Sequence, residues 1–322
     1  EADNLPALLE SLESVEYPKN SYEIIFIDDH SKDKGPELIM QFTQTNDQVK
    51  LLRLANGEGK KAALQLGISK AVYEIIVTTD ADCRVPANWL REFDSMYEAG
   101  ADLCTGAIKF VTSDDSKPQE FQQFEQLAVT GIGAALTLFG CPVMCNGANL
   151  SYRRDMFEDV NGFEDNLHIP SGDDQFLLQK VRKAGGKVRF INSPDHVVVT
   201  NPQPSWPSMV NQRLRWAGKW RATGGWLTAL TVLVGCTSLA SVLIWAGLAF
   251  APHFWSWVLS VSIIKLLVEY MFAREVAASL EIEVSWKTWP LFAFFYPLYA
   301  IYLAVRSNLG QYEWKGRHYS TG

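Results

Sequence analysis

Positive charge is in short supply in this sequence of 322 residues: 29 Lys and Arg stand against 36 Asp and Glu, a net charge of -7. A phosphate backbone recruits basic surfaces, so nucleic acid is excluded as the main partner. Cysteine is sparse as well. The five, at positions 83, 104, 141, 145 and 236, form no CxxC pair and no zinc-ligand spacing, which argues against a structural zinc site. Cys141 and Cys145 are close enough in sequence to pair in an oxidising compartment; reduced core thiols of a cytosolic domain are the plainer expectation. Charge is missing altogether from residues 226–250. That run is longer than the ~20 residues needed to cross a bilayer.

The near-neutral mean hydropathy therefore averages two unlike parts. Residues 1–224 carry the charge density of a soluble domain, and 225–305 hold three apolar stretches, at 226–250, 254–273 and 288–305. Trp226, Trp255, Trp257 and Trp289 stand at their ends, where indoles suit a membrane interface. Lys265 and Glu269 interrupt the second stretch four residues apart, a spacing that allows pairing on one helix face. Two to three membrane helices are expected, followed by a basic tail over 306–322.

Within the soluble part, Leu5, Leu8, Leu9 and Leu12 fall on one helical face. The run Tyr22-Glu-Ile-Ile-Phe-Ile reads as a strand ending at Asp28-Asp29. A helix at 35–44, a strand at 49–54, a helix at 60–70 and a strand at 75–79 ending at Asp80 follow. That alternation predicts a parallel sheet with crossover helices. Ligands of such sheets sit beyond the carboxyl ends of the strands, where Asp28, Asp29, Asp80 and Asp82 fall. Further on, the sequence predicts helices at 89–100, 118–138 and 171–184 and strands at 101–110 and 187–191.

The chemistry concentrates in five places. Asp80-Ala81-Asp82 puts two carboxylates at a strand end, where they can face one divalent cation or divide between ion and ribose. Gly57-Glu-Gly-Lys60-Lys61 combines glycines that let backbone approach a ligand with an ammonium suited to phosphate or base carbonyls. Lys60 fits that role better, with Lys61 expected to be solvated on the helix. Asp28-Asp29 is the acidic pair at the preceding strand end. Ser171-Gly-Asp173-Asp174 opens a helix with two acids, and a carboxylate beside an attacking hydroxyl can take its proton. Gln212-Arg-Leu-Arg215-Trp216 offers an amide for orientation, a guanidinium fork for phosphate and an indole face on which a sugar can stack. His196 is the one histidine near these segments, and beside the apolar run 197–199 a structural role is expected.

In this order the motifs resemble those of membrane-associated family-2 glycosyltransferases, with Gln212, Arg215 and Trp216 in the family's Gln-x-x-Arg-Trp positions. The resemblance spans residues 1 to about 222 and departs from the family pattern at Asp173, where Glu is commoner. It implies a GT-A nucleotide-sugar-binding domain over 1–224, a Rossmann-like mixed sheet with flanking helices, followed by C-terminal transmembrane helices. It also implies one more strand ahead of residue 1. By resemblance, Asp174 is the catalytic base with Asp173 beside it. Asp28, Asp29, Lys60, Asp80, Gln212 and Arg215 bind the donor, Trp216 the acceptor, and Asp80 and Asp82 a divalent metal, Mg2+ or Mn2+. Asn146-Gly-Ala-Asn149 and Asn161-Gly-Phe resemble the stretch between donor and acceptor pockets. Tyr312-Glu-Trp-Lys-Gly-Arg-His-Tyr resembles the tail of enzymes with lipidic acceptors, where Lys315 and Arg317 meet phosphate or simply the membrane surface.

The function implied is inverting transfer of a sugar from a nucleotide-diphosphate donor, UDP-linked, to a lipid, lipid-linked or glycan acceptor. Arg213, Arg215, Lys219 and Arg221 before the first span place the catalytic domain on the cytoplasmic side of the cell membrane. A processive polysaccharide synthase would share the motifs but usually has more than three spans. A non-catalytic membrane scaffold has no need of all these carboxylates, and a nucleotidyltransferase none for the Gln-x-x-Arg-Trp segment.

Overall fold

The computed structural model describes the chain apart from residues 112–115, 168, 170–171, 224, 249, 251, 310, 315–316 and 321–322, and side chains apart from these and from 218–227, 252 and 309–322. It forms two compact units, Glu1–Lys109 with Ile132–Asn201, and Phe110–Gly131 with Pro202–Gly322.

In the first unit, helix α1 (Leu5–Glu13) starts at a proline in its first turn and buries Leu5, Leu8 and Leu12, the apolar positions at helical spacing. Strand β1 (Ile24–Asp28), helix α2 (Gly35–Thr43), strand β2 (Val49–Arg53), helix α3 (Lys60–Lys70) and strand β3 (Ile75–Thr78) follow. β1 and β2 pair in parallel, with Asp28 opposite Arg53. The predicted parallel pattern stops there. β3 is joined by an antiparallel neighbour, β7 (Leu150–Arg153), which separates it from the other two strands of its four-stranded sheet.

Strand β4 (Cys83–Arg84) and helix α4 (Trp89–Glu98) come next, the helix burying Trp89, Phe93 and Tyr97 on one face. Each large apolar side chain so buried stabilises the fold by roughly 1.5–3 kcal/mol. The single strand expected at 101–110 is two, β5 (Leu103–Gly106) and β6 (Ile108–Phe110). β5 pairs antiparallel with β7 and parallel with β8 (Val188–Ile191), while β6 joins a second sheet ordered β4-β9-β6 with β9 (Val198–Thr200). Helix α5 (Lys117–Leu138) contributes residues to both units. Helices α6 (Arg154–Asp159) and α7 (Asp173–Lys183) complete the first unit.

The second unit holds helices α8 (Trp206–Thr223), α9 (Gly225–Gly247), α10 (Trp255–Ser279) and α11 (Trp289–Leu309). Three segments, Thr228–Gly247, Trp255–Ser279 and Trp286–Asn308, are long and apolar enough to cross a membrane. Val232, Leu233, Leu243, Trp257, Ile264, Met271, Leu291 and Phe294 expose their side chains there. Trp289 departs from the expected interfacial position: it is buried in an aromatic cluster with Phe124, Tyr270, Trp286 and Phe292. Lys265 and Glu269 pair at 2.7 Å as their spacing predicts. The tail, expected only to be basic, pairs β10 (Gln311–Trp314) with β11 (Arg317–Ser320) as an antiparallel hairpin. Lys315 lies outside the described residues.

Candidate active site

Four predicted residues from three separate stretches meet at Gly147. The Lys60 ammonium, on the first turn of α3, lies 2.6 Å from Asp80 Oδ1 and 3.5 Å from Asp173 Oδ2. Asp174 accepts the backbone N–H of Gly147 at 3.2 Å and that of Gln175 at 2.8 Å. A β-carbon on Gly147 would sit 3.2 Å from Lys60 Nζ and 3.3 Å from Asp173 Oδ2. Only glycine lets these charges approach one another without displacement. Thr78, on β3 just before Asp80, donates its hydroxyl to the Gly147 carbonyl at 2.9 Å. That bond ties the DxD strand to the turn that faces the Asp173-Asp174 pair.

Local sequence explains each placement. Gly57 and Gly59 take φ of 82° and 91°, a region closed to most L residues, so the loop can turn sharply and deliver Lys60 as the first helical residue. Gly172 caps α7 with φ 85°. Asp173 and Asp174 then occupy its first turn, with Lys180, Arg182 and Lys183 in its last. Both ends suit the helix macrodipole, which favours ionised carboxylates at the start. Ser171 lies outside the described residues.

Charge in the site is unevenly balanced. Burial alone would lower the Lys60 pKa, but Asp173, then Asp80 and Asp174, outweigh it and hold the ammonium above the ordinary lysine value. The Asp82 carboxyl is raised, first by burial and then by the charge of Asp80. A carboxylate whose ionisation is opposed by a neighbouring acid marks a place where a divalent cation would be stabilising. Among the described residues no three His, Cys, Asp or Glu side chains form a ready metal cluster. Asp80 and Asp82 would supply two ligands, leaving the remaining positions for phosphate oxygens and water, as Mg2+ commonly requires.

Asp28 and Asp29 separate in role. Asp28 is buried, accepts the Ser31 N–H at 2.9 Å and pairs with Arg53 at 3.1 Å. Burial works to raise its pKa, but the Ser31 and Arg53 contacts hold it below the usual carboxylate value. Asp29 is the more exposed and accepts the Gly59 N–H at 2.9 Å, joining the β1 end to the glycine loop.

Three polar side chains near these segments lie in the interior. Lys61, expected to be solvated, is 4% exposed and donates to the Asn166 carbonyl at 2.6 Å. Asn149 is a buried hub: it accepts Trp89 Nε1 and donates to the carbonyls of Ala107 and His196, each at 2.9 Å. Those bonds give the Asn-Gly-Ala-Asn turn its fixed shape, a structural task that no local pattern announces. His196 is fully buried with its ring edge-on to Phe93, and burial pushes its pKa down to about 3 against the opposing Trp89 backbone. It stays neutral and structural, as its apolar surroundings predict.

Gln212, Arg215 and Trp216 lie on α8 of the second unit. Arg213, between the signature positions, touches two of them, Gln212 and Trp216. It is buried, bonds Glu125 through Nε at 2.8 Å and Nη2 at 2.6 Å, donates a short hydrogen bond to Gln212 Oε1, and stacks 4.3 Å over the Trp216 ring. One indole face is thus covered by a guanidinium, and the Gln212 amide is oriented by the same group. The sequence signal for this is an Arg one residue inside the motif and a glutamate on a distant helix, which only the fold brings together.

The profile described as Glycosyl transferase family 2 matches residues 1–160. The glycosyltransferase AglE of Haloferax volcanii is 25% identical over 223 residues, covering 67% of this chain and 68% of AglE. The undecaprenyl-phosphate 4-deoxy-4-formamido-L-arabinose transferase of Pseudomonas fluorescens is 26% identical over 161 residues, 49% of this chain and 45% of that one. Two further glycosyltransferase relatives are matched over only 33% and 50% of their length. A mannosyltransferase of Pyrobaculum calidifontis, solved with GDP-Man and Mn2+, superposes with a TM-score of 0.57 at 18% identity, covering 96% of this chain and 84% of that one. The fold is the GT-A fold of nucleotide-sugar transferases, here with three candidate transmembrane helices after it. The chain belongs to glycosyltransferase family 2 and is a glycosyltransferase.

Proposed function

We propose that this protein transfers a sugar, with inversion, from a nucleotide-diphosphate donor to a lipid, lipid-linked or glycan acceptor at the cell membrane. The observation that carries the reading is the meeting of Lys60, Asp80, Asp173 and Asp174 around Gly147. Asp174, in the first turn of α7, takes the proton of the acceptor hydroxyl. The hydroxyl oxygen forms its bond to the anomeric carbon as the bond from that carbon to the donor diphosphate breaks on the opposite face, inverting the centre. Lys60 meets the donor phosphates, Asp173 holds Lys60 in place, and Asp29 and Asp28 border the nucleotide. A divalent cation, Mg2+ or Mn2+, bound by Asp80 and Asp82 would neutralise the charge of the departing diphosphate.

The Arg215 guanidinium matches two phosphate oxygens of the donor, Gln212 helps orient it, and the Trp216 indole is assigned to the acceptor. A lipid phosphate is the acceptor class that the name of the Pseudomonas fluorescens relative supports, and three apolar helices suit it. UDP is the nucleotide proposed, with the catalytic unit on the cytoplasmic side.

The test is turnover of UDP-glucose, UDP-galactose, UDP-N-acetylglucosamine and GDP-mannose, with water and with undecaprenyl phosphate as acceptors, by wild type and Asp174→Asn. The variant is expected to bind donor nearly as well and to lose about 10²-fold or more of transfer, as for a missing general base. Asp173→Asn should be milder. The reverse order would move the base to Asp173, and no turnover of any donor by wild type would favour a scaffold. A product longer than one sugar would make the enzyme processive.

A further inference from the structure

Lys60 and Lys61 are neighbours in sequence yet reach different partners. Lys60 faces the carboxylates. Lys61 turns into the interior, where it donates to the Asn166 carbonyl at 2.6 Å and stands 4.7 Å from the Phe176 ring centroid. Asn166 ends a short 3-10 turn, Glu164–Asn166, and Phe176 lies on α7 two residues beyond Asp174. A second lysine holds the same turn: Lys180 donates to the Gly162 carbonyl at 2.9 Å and pairs with Asp165 at 3.1 Å. Lys61 differs from Lys180 in being rooted on α3, the helix that also carries Lys60.

A buried ammonium is costly unless hydrogen-bonded, and its removal leaves the carbonyl it served without that donor. A methionine of similar length would serve the packing against Phe176 without the desolvation cost of a charge. The charge therefore has a use that packing alone does not explain. We propose that Lys61 is a positioning residue that fixes the start of α7, and with it Asp174, at a set distance from Lys60 and Asp80. This rests on the assignment of Asp174 as the base.

The experiment compares wild type, Lys61→Met and Lys61→Arg as full chains in lipid nanodiscs, each with and without UDP. Hydrogen exchange is read on peptides covering residues 145–149 and 172–178, because the Gly147 and Gln175 amides both donate to Asp174. Exchange in Lys61→Met should rise about tenfold in these two peptides with α4 and β5 unchanged, and Lys61→Arg should restore most of the protection. Transfer should fall about tenfold in kcat with donor KM within about twofold. In the Asp174→Asn background the same substitution should cost almost nothing more, because residues acting as one unit are non-additive. Additive losses, or exchange that rises throughout the first unit, would reduce Lys61 to a stability role and overturn the proposal. It is overturned equally if Lys61→Met does not fold while Lys61→Arg behaves as wild type in exchange and turnover. An Asp174→Asn variant with normal transfer would instead overturn the base assignment.

Discussion

Asp82, partly exposed, and His196, fully buried, are both titratable groups, and their surroundings give them different consequences. The Asp82 carboxyl is raised by burial and by Asp80, a conflict that a bound cation would relieve. Asp82→Asn should therefore abolish measurable transfer, and excess chelator should do the same to wild type. Full turnover in chelator would remove the metal assignment while leaving Asp174 untouched. His196 is a matter of folding. Its folded pKa is about 3, whereas an unfolded histidine titrates near 6.5. Below ~6.5 the unfolded chain binds a proton that the folded chain refuses, so this contribution is complete above ~6.5 and is lost as pH falls toward 3. Urea titrations should show stability declining over that window, with a shallower decline in His196→Gln. An identical slope in both proteins would mean that carboxylates carry the whole effect.

Helices and strands decide which of these residues meet. The strand-end acids at 28, 29, 80 and 82 are legible in the sequence because apolar runs ending in Asp mark strand ends, and the helix-opening acids at 173 and 174 because Gly172 precedes them. The antiparallel insertion of β7 next to β3 is not legible, since register and partner are set by long-range packing and not by local periodicity. The burial of Lys61 escapes the sequence for a related reason. Two adjacent lysines on a helix point about 100° apart, and sequence cannot say which of those directions faces the interior. On α8 the same limit hides Arg213, whose burial depends on Glu125 of α5. Breaking a buried pair by removing one partner costs about 3–5 kcal/mol, so Glu125→Gln should destabilise the second unit and disturb Gln212 and Trp216 together. Arg215→Ala should act differently, impairing both donor hydrolysis by water and transfer to undecaprenyl phosphate. Trp216→Ala should spare hydrolysis and raise the acceptor concentration needed for transfer. Equal losses in both assays, with folding and membrane insertion intact, would defeat this division between donor and acceptor.

At the scale of the whole molecule the open matter is how the chain threads the bilayer. Full crossing by all three apolar helices puts the tail on the opposite side from the catalytic unit, which at first sight conflicts with the charges of Arg306, Lys315 and Arg317. The lengths favour three crossings: α9, α10 and α11 have 23, 25 and 21 residues, and at 1.5 Å per residue each reaches roughly the 30 Å of the hydrocarbon core. Orientation follows the balance of positive charge over short flanking segments, not the tail alone. Arg213, Arg215, Lys219 and Arg221 precede α9, and Arg274 and Lys287 flank the α10–α11 connection on the same side, whereas residues 248–254 between α9 and α10 contain no Lys or Arg. With three crossings, six positive residues on the catalytic side would stand against three at the tail, which is compatible with the proposed cytoplasmic placement. The Lys265–Glu269 pair within α10 leaves no net charge to carry across. With the exposed Cys236 replaced by Ser, single cysteines introduced at His253, Glu281 and Ser320 should report this threading. In intact cells a membrane-impermeant maleimide should label positions 253 and 320 and reach 281 only after permeabilisation. Labelling at 253 with protection at 320 would mean that α11 re-enters on the side it left, and protection at 253 would return the first two helices to the interior of a folded bundle.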